Sequence, residues 1–239
     1  MQTQPNSAPG PLLTREQLDA ILQYDTCTIA NAIEWFRVRL RNEGVSGPGL
    51  RCVTGGFARA LGYAATFRIR TADPPMRGDD SFINRTDWWA ELKRHPLPTI
   101  AVVEDIDAEP GLGSFAGEVH ASILRALGCC GVITNGAVRD LPAVNAMDFP
   151  FFAKSVAVSH AYSHVVEFGK PVRIFGLEVH PGELIYADCH GAVTIPQAIA
   201  GKVADVAATL REAELRVIRA CQSPDFTEAM LLETLDKNL

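Results

Sequence analysis

The amino-acid sequence predicts a mixed α/β fold, because helix and strand patterns alternate along it. Residues 118–127 place four apolar side chains at helical spacing, which predicts a short amphipathic helix. The next run, Cys129–Thr134, is short, apolar and β-branched toward its end, as in a strand buried on both faces. Residues 99–105 form a second apolar strand pattern, which ends in two acidic residues.

The other elements follow the same two patterns. Residues 1–13 predict a flexible arm, because prolines lie there among small polar residues, and residues 14–239 predict one domain with a helical tail. Thr14 and Gln17 form a capping-box pattern at the start of the first helix. Two further helices are predicted, one over 26–41 with Trp35 on its apolar stripe and one over 80–94 with Trp88 and Trp89 as packing or interface anchors. The remaining predictions are one or two strands over 56–69 and strands over 151–156, 172–180 and 183–187.

Composition excludes several classes of function. The 239 residues carry a net charge of −6 and no basic run, which argues against nucleic acid as a partner. No apolar run approaches the roughly 20 residues that a membrane span requires. The six cysteines lack a regular disulfide or metal-binding spacing and predict reduced, small core residues. We therefore expect a cytoplasmic protein.

Several polar groups could have a catalytic or metal-binding role, but their sequence context favours a structural role. Residues 104–109 contain four carboxylates without the pattern of a calcium loop, so a solvated loop is preferred. His160 and His164 have the spacing of a zinc pair on a helix, but their flanks look extended, which favours a polar loop at a substrate mouth. Lys154 has no neighbour that indicates a lowered pKa, so a Schiff base is not favoured.

One stretch combines charges with helix amides. Glu118 begins the predicted helix, while Arg139 and Asp140 follow the strand that returns from it, so the three groups can meet at one end of the layer. Two carboxylates, a guanidinium and free N–H groups can bind a divalent metal and an anionic ligand. The simpler alternative is a solvated turn or a surface ion pair.

The same stretch resembles a known family. Residues 128–144, GCCGVITNGAVRDLPAV, resemble the signature of the RraA-like family, which contains class II 4-hydroxy-4-methyl-2-oxoglutarate/4-carboxy-4-hydroxy-2-oxoadipate aldolases, oxaloacetate decarboxylases and non-catalytic regulators of ribonuclease E. The likeness covers residues 25–196. It also rests on DTCTIANAI at 25–33, GYAAT at 62–66, Gly117 with Glu118, and PGELIYAD with GAVTIP in a closing hairpin between 181 and 196.

The resemblance implies a three-layer β/β/α sandwich of the swivelling-domain type, assembled as a homotrimer or homohexamer. In the catalytic branch an acid lies twenty-one positions before the arginine, and Glu118 holds that position relative to Arg139. The regulator branch lacks part of this set. Asn31 and Asn135 stand where many members carry aspartate, and these differences bear on packing or substrate choice.

The resulting hypothesis is a pyruvate aldolase that depends on Mg²⁺ or Mn²⁺ and also decarboxylates oxaloacetate. Its substrate is a small 2-oxo acid, which it cleaves to pyruvate and a second 2-oxo acid. The assigned roles are metal binding by Asp140 directly and by Glu118 through a water, catalysis by Arg139 and Glu118, and substrate binding by Arg139, Gly117, Val119 and His120. The alternatives are a regulator that inhibits a ribonuclease and a decarboxylase without aldolase activity.

Overall fold

The computed structural model describes residues 12–75 and 85–236, which form two compact units. The first unit comprises Arg41–Ala198, and the second comprises Leu13–Leu40 together with residues 199–236. Most of the arm predicted over 1–13, and the start of the helix predicted over 80–94, lie outside the described residues. Within the described ranges, no helix has the length and apolar character needed to cross a membrane.

The described part of the chain alternates strands and helices as predicted. The strands are β1 (Arg51–Cys52), β2 (Ala60–Arg70), β3 (Thr99–Asp105), β4 (Ser114–Ala116), β5 (Cys129–Thr134), β6 (Ala137–Val138), β7 (Phe151–Ala153), β8 (Ser155–Val156), β9 (His164–Phe168), β10 (Val172–Ile174), β11 (Leu177–Val179), β12 (Leu184–Asp188) and β13 (Gly191–Ile195). The helices are α1 (Arg15–Ile21), α2 (Thr26–Trp35), α3 (Arg85–Leu92), α4 (Glu118–Ala126), α5 (Leu141–Ala146), α6 (Gln197–Ala200), α7 (Val203–Cys221) and α8 (Glu228–Asp236).

The main sheet of the first unit has the order β1-β7-β5-β3-β2-β12-β13, and β9 also pairs with β2. Neighbouring strands from β7 to β2 run parallel, whereas β12, β13, β1 and β9 pair antiparallel. The small residues of β2 allow close packing, because a Cβ on Gly62 would lie 2.7 Å from the carbonyl oxygen of Pro98. The chain that enters β3 at Pro98 therefore approaches β2 at a point where a side chain has no room.

Alternating residues of the central strands fill two separate cores. Phe67 of β2 and Val103 of β3 contribute to one core, which also contains buried residues of α3 and α4. Ile100 and Val102 of β3 contribute to the other, which contains the buried residues of β10 and β11. A period of two along each strand explains the division, since successive side chains point to opposite faces. The predicted α/β fold class, with helices on one face and a β layer on the other, is confirmed.

A small parallel sheet, β4-β6-β8, positions the loops that matter for function. Its register places Ser114 beside Ala137 and Ala137 beside Ser155. The segments that leave β4 and β6 therefore emerge side by side. Those segments are the beginning of α4 and the turn that carries Arg139 and Asp140.

Two predicted boundaries are wrong. The strand predicted over 172–180 is the hairpin β10–β11, because Phe175 and Gly176 both have positive φ and reverse the chain. The helix predicted over 26–41 ends at Trp35, and Arg37 adopts a φ of 52°. Trp35 is 63% exposed and does not belong to the apolar stripe of this helix.

The second unit is helical, as the predicted tail requires. The capping box of α1 is confirmed, with Gln17 N donating to Thr14 Oγ1 at 3.3 Å and Thr14 N donating to Gln17 Oε1 at 2.9 Å. Asp25 caps α2 by accepting from Thr28 N at 2.7 Å. Helices α1, α2 and α8 each pack against α7, which is the longest helix of this unit among the described residues.

Candidate active site

A cleft with a volume of about 430 Å³ opens on the first unit. Pockets for small molecules usually measure about 300–1,000 Å³, so the size suits a small metabolite. Its wall includes five of the six residues predicted for the site, namely Gly117, Val119, His120, Arg139 and Asp140. The sixth, Glu118, begins α4 beside them but its side chain is exposed outside the wall.

Backbone hydrogen bonds hold the two charged residues against the start of α4. Arg139 N donates to Ala116 O at 2.9 Å, continuing the pairing between β4 and β6. Glu118 N donates to Asp140 Oδ2 at 3.1 Å. The first amides of a helix lack intrahelical acceptors and favour a negative charge, so the Asp140 carboxylate takes a favourable position there.

The backbone of Asp140 explains why its side chain reaches α4. Asp140 has left-handed dihedral angles, φ 58° and ψ 34°, and precedes the first residue of α5 without capping that helix. Aspartate is one of the few residues other than glycine that visits this conformation readily. Its carboxylate is thereby available to Glu118 N instead of to the amides of α5.

Gly117 makes room for this arrangement. A Cβ at position 117 would lie 2.3 Å from Asp140 Oδ2 and 3.0 Å from Arg139 Cγ. The φ of Gly117 is −140°, which any residue can adopt. The position therefore needs glycine for space and not for backbone conformation.

Arg139 and Asp140 form a half-exposed ion pair on the cleft wall. Arg139 Nε lies 3.6 Å from Asp140 Oδ2, and the two side chains are 37% and 40% exposed. Such a pair adds only about 0–1 kcal/mol to stability. Among the described residues, Asp140 Oδ1 accepts no hydrogen bond, and the guanidinium has no partner besides Asp140. The Arg139 guanidinium and the Asp140 carboxylate can therefore both bind a ligand in the cleft.

This donor set fits a hard divalent cation that keeps part of its water shell. Asp140 offers one free carboxylate oxygen, and Mg²⁺ usually takes one or two carboxylates and fills its remaining positions with water and substrate oxygens. In the described ranges, Asp140 belongs to no cluster of three or more potential metal ligands. The site therefore suits a cation shared with substrate and not a cation enclosed by protein.

The first turn of α4 supplies further N–H groups. Val119 occupies the second position of α4, where helix geometry provides no intrahelical acceptor, and His120 occupies the third. Val119 is 71% exposed on the cleft wall, although the sequence pattern placed it on the apolar stripe. That part of the helix prediction is wrong, because the buried side of α4 is carried by Ala121 and Leu124.

An aromatic stack forms another part of the wall. The His120 ring lies nearly parallel to Phe115, with centroids 5.3 Å apart, and to Trp88, with centroids 6.1 Å apart. Trp88 is buried and contacts Phe67 edge-on, so its predicted role as a packing anchor is confirmed. The stack orients the imidazole toward the same cleft as Arg139.

Residues 160–165, which span the start of β9, also line the cleft. His160 lies in a loop as predicted, whereas His164 is the first residue of β9, so the loop prediction is wrong for His164. His160 Nδ1 donates to Ala161 O at 2.8 Å, and His164 Nδ1 donates to Tyr162 O at 2.7 Å. Both rings therefore keep Nε2 available.

Sequence reasoning missed Ser114 as a cleft residue. Its Oγ is buried and has no hydrogen-bond partner among the described residues. Buried hydroxyls are nearly always paired, and an ordered water or a ligand oxygen is the usual partner when protein supplies none. The glycine-rich run at 111–117 was the available signal, since it indicated exposed backbone at the helix entry.

The acidic run at 104–109 is not the solvated loop that the sequence favoured. Asp107 is buried, and its Oδ2 accepts from Thr71 N at 2.6 Å, Thr71 Oγ1 at 3.0 Å and Ala72 N at 2.8 Å. Burial alone would raise the pKa of Asp107, but these hydrogen bonds outweigh it and lower the pKa. Burial raises the pKa of Asp105, although Gly111 N and Asp107 N donate to its carboxylate. Asp105 and Asp107 therefore hold the neighbouring loop backbone in place through these hydrogen bonds.

Cys129 is buried and Cys130 is partly buried against the core, as predicted. The prediction that all six cysteines are core residues is wrong, because Cys27, Cys189 and Cys221 are exposed. Burial raises the pKa of Cys129 to about 11 and that of Cys130 to about 12. Both thiols are protonated at neutral pH, so neither serves as a nucleophile. Lys154 donates to Pro110 O at 2.8 Å and is exposed, which agrees with its exclusion as a Schiff-base lysine.

Comparisons with known proteins identify relatives of this chain. A family model described as RraA-like, Aldolase/RraA, matches residues 26–194. An uncharacterised protein of Methanocaldococcus jannaschii is 30% identical over 158 residues, which span 63% of this chain and 74% of that protein. A Halalkalibacterium halodurans protein, provisionally named a 4-hydroxy-4-methyl-2-oxoglutarate aldolase, is 28% identical over 85 residues. That match spans 35% of this chain and 40% of the relative.

Solved structures agree with the fold. An uncharacterised protein from Pseudomonas syringae superimposes with a TM-score of 0.74 at 21% identity, covering 97% of this chain and all 100% of that one. RraAS2 from Streptomyces coelicolor, described as an unusual member of the RNase ES inhibitor RraA protein family, gives a TM-score of 0.66 at 20% identity. That match covers 87% of this chain and 98% of RraAS2. At these identities the likeness concerns architecture alone.

Proposed function

Because the chain belongs to the RraA-like (Aldolase/RraA) family, we propose that it is a divalent-metal-dependent pyruvate aldolase with oxaloacetate decarboxylase activity. The substrate is a 4-hydroxy-2-oxo acid such as 4-hydroxy-4-methyl-2-oxoglutarate, and the products are pyruvate and a second 2-oxo acid. The observation that carries the proposal is the pair Arg139 and Asp140, which lies on the cleft wall beside the first amide of α4. The guanidinium and one carboxylate oxygen of this pair can still bind a ligand in the cleft.

The reaction needs stabilisation of negative charge on the 2-oxo group. Cleavage of either substrate leaves an electron pair that is delocalised onto this oxygen, so one arrangement serves aldol cleavage and decarboxylation alike. When bound, Mg²⁺ or Mn²⁺ would act as a Lewis acid toward that group. Asp140 would hold the cation through its free oxygen, while Glu118 would bind it through a water from the exposed start of α4.

The protein groups bind and orient the substrate. Arg139 would hold the C1 carboxylate with two parallel hydrogen bonds and would face the oxygen that gains charge. The N–H groups of Val119 and His120 would complete the carboxylate pocket at the helix start. Gly117 lets the substrate and the Asp140 carboxylate approach this backbone closely. Glu118 would also orient the water that accepts the proton from the 4-hydroxyl.

A pyruvate-release assay tests the proposal. Wild-type protein is assayed with 4-hydroxy-4-methyl-2-oxoglutarate and with oxaloacetate, each with Mg²⁺, with Mn²⁺ and after EDTA. Arg139→Ala should lower kcat/KM by about 10²–10³-fold, as is typical when a donor to a developing oxyanion is removed. Asp140→Asn should weaken the response to added metal. Arg173→Ala is the matched control, because Arg173 is exposed on β10 away from the cleft wall.

The outcomes separate the alternatives. Metal-dependent pyruvate release from both substrates supports the aldolase, and release from oxaloacetate alone supports a decarboxylase. No release from either substrate supports a regulatory protein of the ribonuclease-inhibitor kind. Activity in Arg139→Ala equal to that of the control would contradict the assigned chemistry.

We also propose that the protein assembles as a homotrimer or homohexamer. Three large side chains of the first unit, Phe57, Val158 and Tyr162, are exposed by 84%, 97% and 54%. A contiguous patch of such groups would mark an interface, and assembly would then bury it. Light scattering on the purified chain tests the assembly, and a monomer at assay concentration would exclude it.

A further inference from the structure

A second group of metal-binding side chains lies at the tip of the β12–β13 hairpin. Asp188 ends β12, Cys189 and His190 form the turn, and Gly191 begins β13. The ligand atoms of the carboxylate, thiol and imidazole all lie within 4.8 Å of one another. Within residues 12–75 and 85–236, this is the one cluster of three such groups.

Two distances between these atoms are close to the edges of a tetrahedral zinc site. Cys189 Sγ lies 3.5 Å from His190 Nδ1, and Asp188 Oδ1 lies 3.2 Å from the same nitrogen. Zinc binds sulfur at about 2.3 Å and nitrogen or oxygen at about 2.0–2.2 Å, so tetrahedral edges measure about 3.6 Å between S and N and about 3.3–3.4 Å between O and N. Cys189 Sγ also lies 4.0 Å from His190 Nε2, which places the sulfur beside the imidazole ring and not in line with the Nδ1 lone pair. Cation binding therefore requires the exposed His190 ring to rotate.

The hairpin holds the Asp188 carboxylate in place before any cation binds. The Asp188 side chain is 3% exposed, and its Oδ1 accepts from His190 N at 2.8 Å. Ser46 Oγ accepts from Ala192 N at 2.9 Å and fixes the returning strand. Cys189 and His190 are exposed, so a cation can enter from solvent. A side chain ordered in advance loses little conformational entropy on binding.

Three protein ligands leave the fourth position of a tetrahedral site open, and a water would fill that position.

We propose that Asp188, Cys189 and His190 form a binding site for a zinc-like divalent cation. The ligands are a carboxylate oxygen, a thiolate and the Nδ1 of an imidazole, which is the ligand set that zinc favours among divalent cations. Binding converts the Cys189 thiol to the thiolate and releases its proton to solvent. The histidine carries its remaining proton on Nε2 in the bound form.

This site is separate from the cleft. Ala187 pairs with Ala60, the first residue of β2, whereas His164 on the cleft wall pairs with Arg70, the last residue of β2. A strand rises about 3.3 Å per residue, so the two sites lie on the order of 30 Å apart. The ligand sets also differ, since the cleft offers oxygen donors suited to Mg²⁺.

Cobalt binding tests the proposal directly. The full chain is reduced, freed of metal by a chelator and titrated with Co²⁺ under argon. We expect one equivalent to give a thiolate-to-cobalt charge-transfer band and the visible bands of a tetrahedral site, and Zn²⁺ to abolish both. Equilibrium dialysis with Zn²⁺ gives the affinity and stoichiometry. These readouts do not depend on any enzymatic activity, so they can fail or succeed separately from the aldolase assay.

Variants identify the ligands. Cys189→Ser should remove the charge-transfer band, and Cys189→Ser and His190→Asn should each weaken Zn²⁺ binding at least 10-fold. Both residues are exposed, so neither change should prevent folding. Cys221→Ser and His180→Asn are the controls, because they remove an exposed thiol and an exposed imidazole elsewhere.

Three results would overturn the proposal. They are the absence of a charge-transfer band in the reduced wild-type chain, a band that persists in Cys189→Ser, and equal Zn²⁺ affinity in the His190→Asn and His180→Asn chains. Mass spectrometry before titration confirms that Cys52 and Cys189 are reduced, so a disulfide cannot account for a negative result.

Discussion

Replacing Gly117 by alanine should impair catalysis without unfolding the protein. The new Cβ would lie 2.3 Å from Asp140 Oδ2, which is about 1 Å closer than van der Waals contact allows. The backbone φ of −140° suits alanine, so the clash is relieved by movement of the half-exposed Asp140 side chain. That movement breaks the hydrogen bond from Glu118 N. A displacement of about 1 Å at a reacting group can lower the rate about 100-fold, equivalent to about 2.7 kcal/mol.

Steady-state pyruvate release at saturating Mg²⁺ measures this effect, and thermal unfolding measures stability. The matched control is Gly55→Ala, because a Cβ there would meet its nearest neighbour, Asn145 Oδ1, at an ordinary 3.5 Å. We expect kcat/KM to fall about 100-fold in Gly117→Ala and to remain unchanged in the control. Wild-type kinetics in Gly117→Ala would refute the idea that the position of the Asp140 carboxylate matters.

Three further predictions concern the fold around the site. Asp107→Asn should lower the free energy of unfolding by roughly 1–3 kcal/mol at pH 7. The difference should shrink as pH falls below about 4, because the lowered pKa of Asp107 stabilises the fold only while its carboxylate is ionised. Denaturant titrations of both proteins at pH 7 and pH 3 measure this difference. Gly62→Ala should destabilise by about 1–3 kcal/mol, since its Cβ would lie 2.7 Å from the backbone oxygen of Pro98, which cannot swing aside; urea unfolding measures the loss. Cys129 and Cys130, with pKa values of about 11 and about 12, should resist iodoacetamide at pH 8 until the chain unfolds, as peptide mass spectrometry would show.

Local sequence patterns predicted most of the fold. The helix that begins at Glu118 and the strands Thr99–Asp105 and Cys129–Thr134 have the predicted positions, because burial on two faces leaves a clear pattern. The errors occur where non-glycine residues adopt positive φ. Arg37 ends a helix and Phe175 turns a strand into a hairpin, and neither residue type signals such a conformation in a sequence.

The candidate site was predictable around Glu118 and Arg139 and only partly in the rest of its wall. The sequence placed Arg139 and Asp140 in a loop after the strand Cys129–Thr134 and placed the loop of His160 and His164 at a substrate mouth, and these residues do line the cleft. The contributions of Trp88 and Ser114 depend on the pairing of distant strands. Single-sequence patterns report local periodicity and carry no information on which strands become neighbours.

Two aspartates that follow strands show why the sequence alone cannot separate a structural acid from a chemical one. Asp107 follows β3 and Asp140 follows β6, so both occupy loops where binding groups are expected. Asp107 is buried with three hydrogen bonds to one oxygen, and this saturation ties the loop at Thr71 to the strand. Asp140 accepts one hydrogen bond and stays half-exposed beside Arg139. An oxygen that already accepts three hydrogen bonds has no lone pair left for a cation or a substrate, whereas Asp140 Oδ1 accepts none among the described residues, so the number of neighbouring N–H groups distinguishes these two acids.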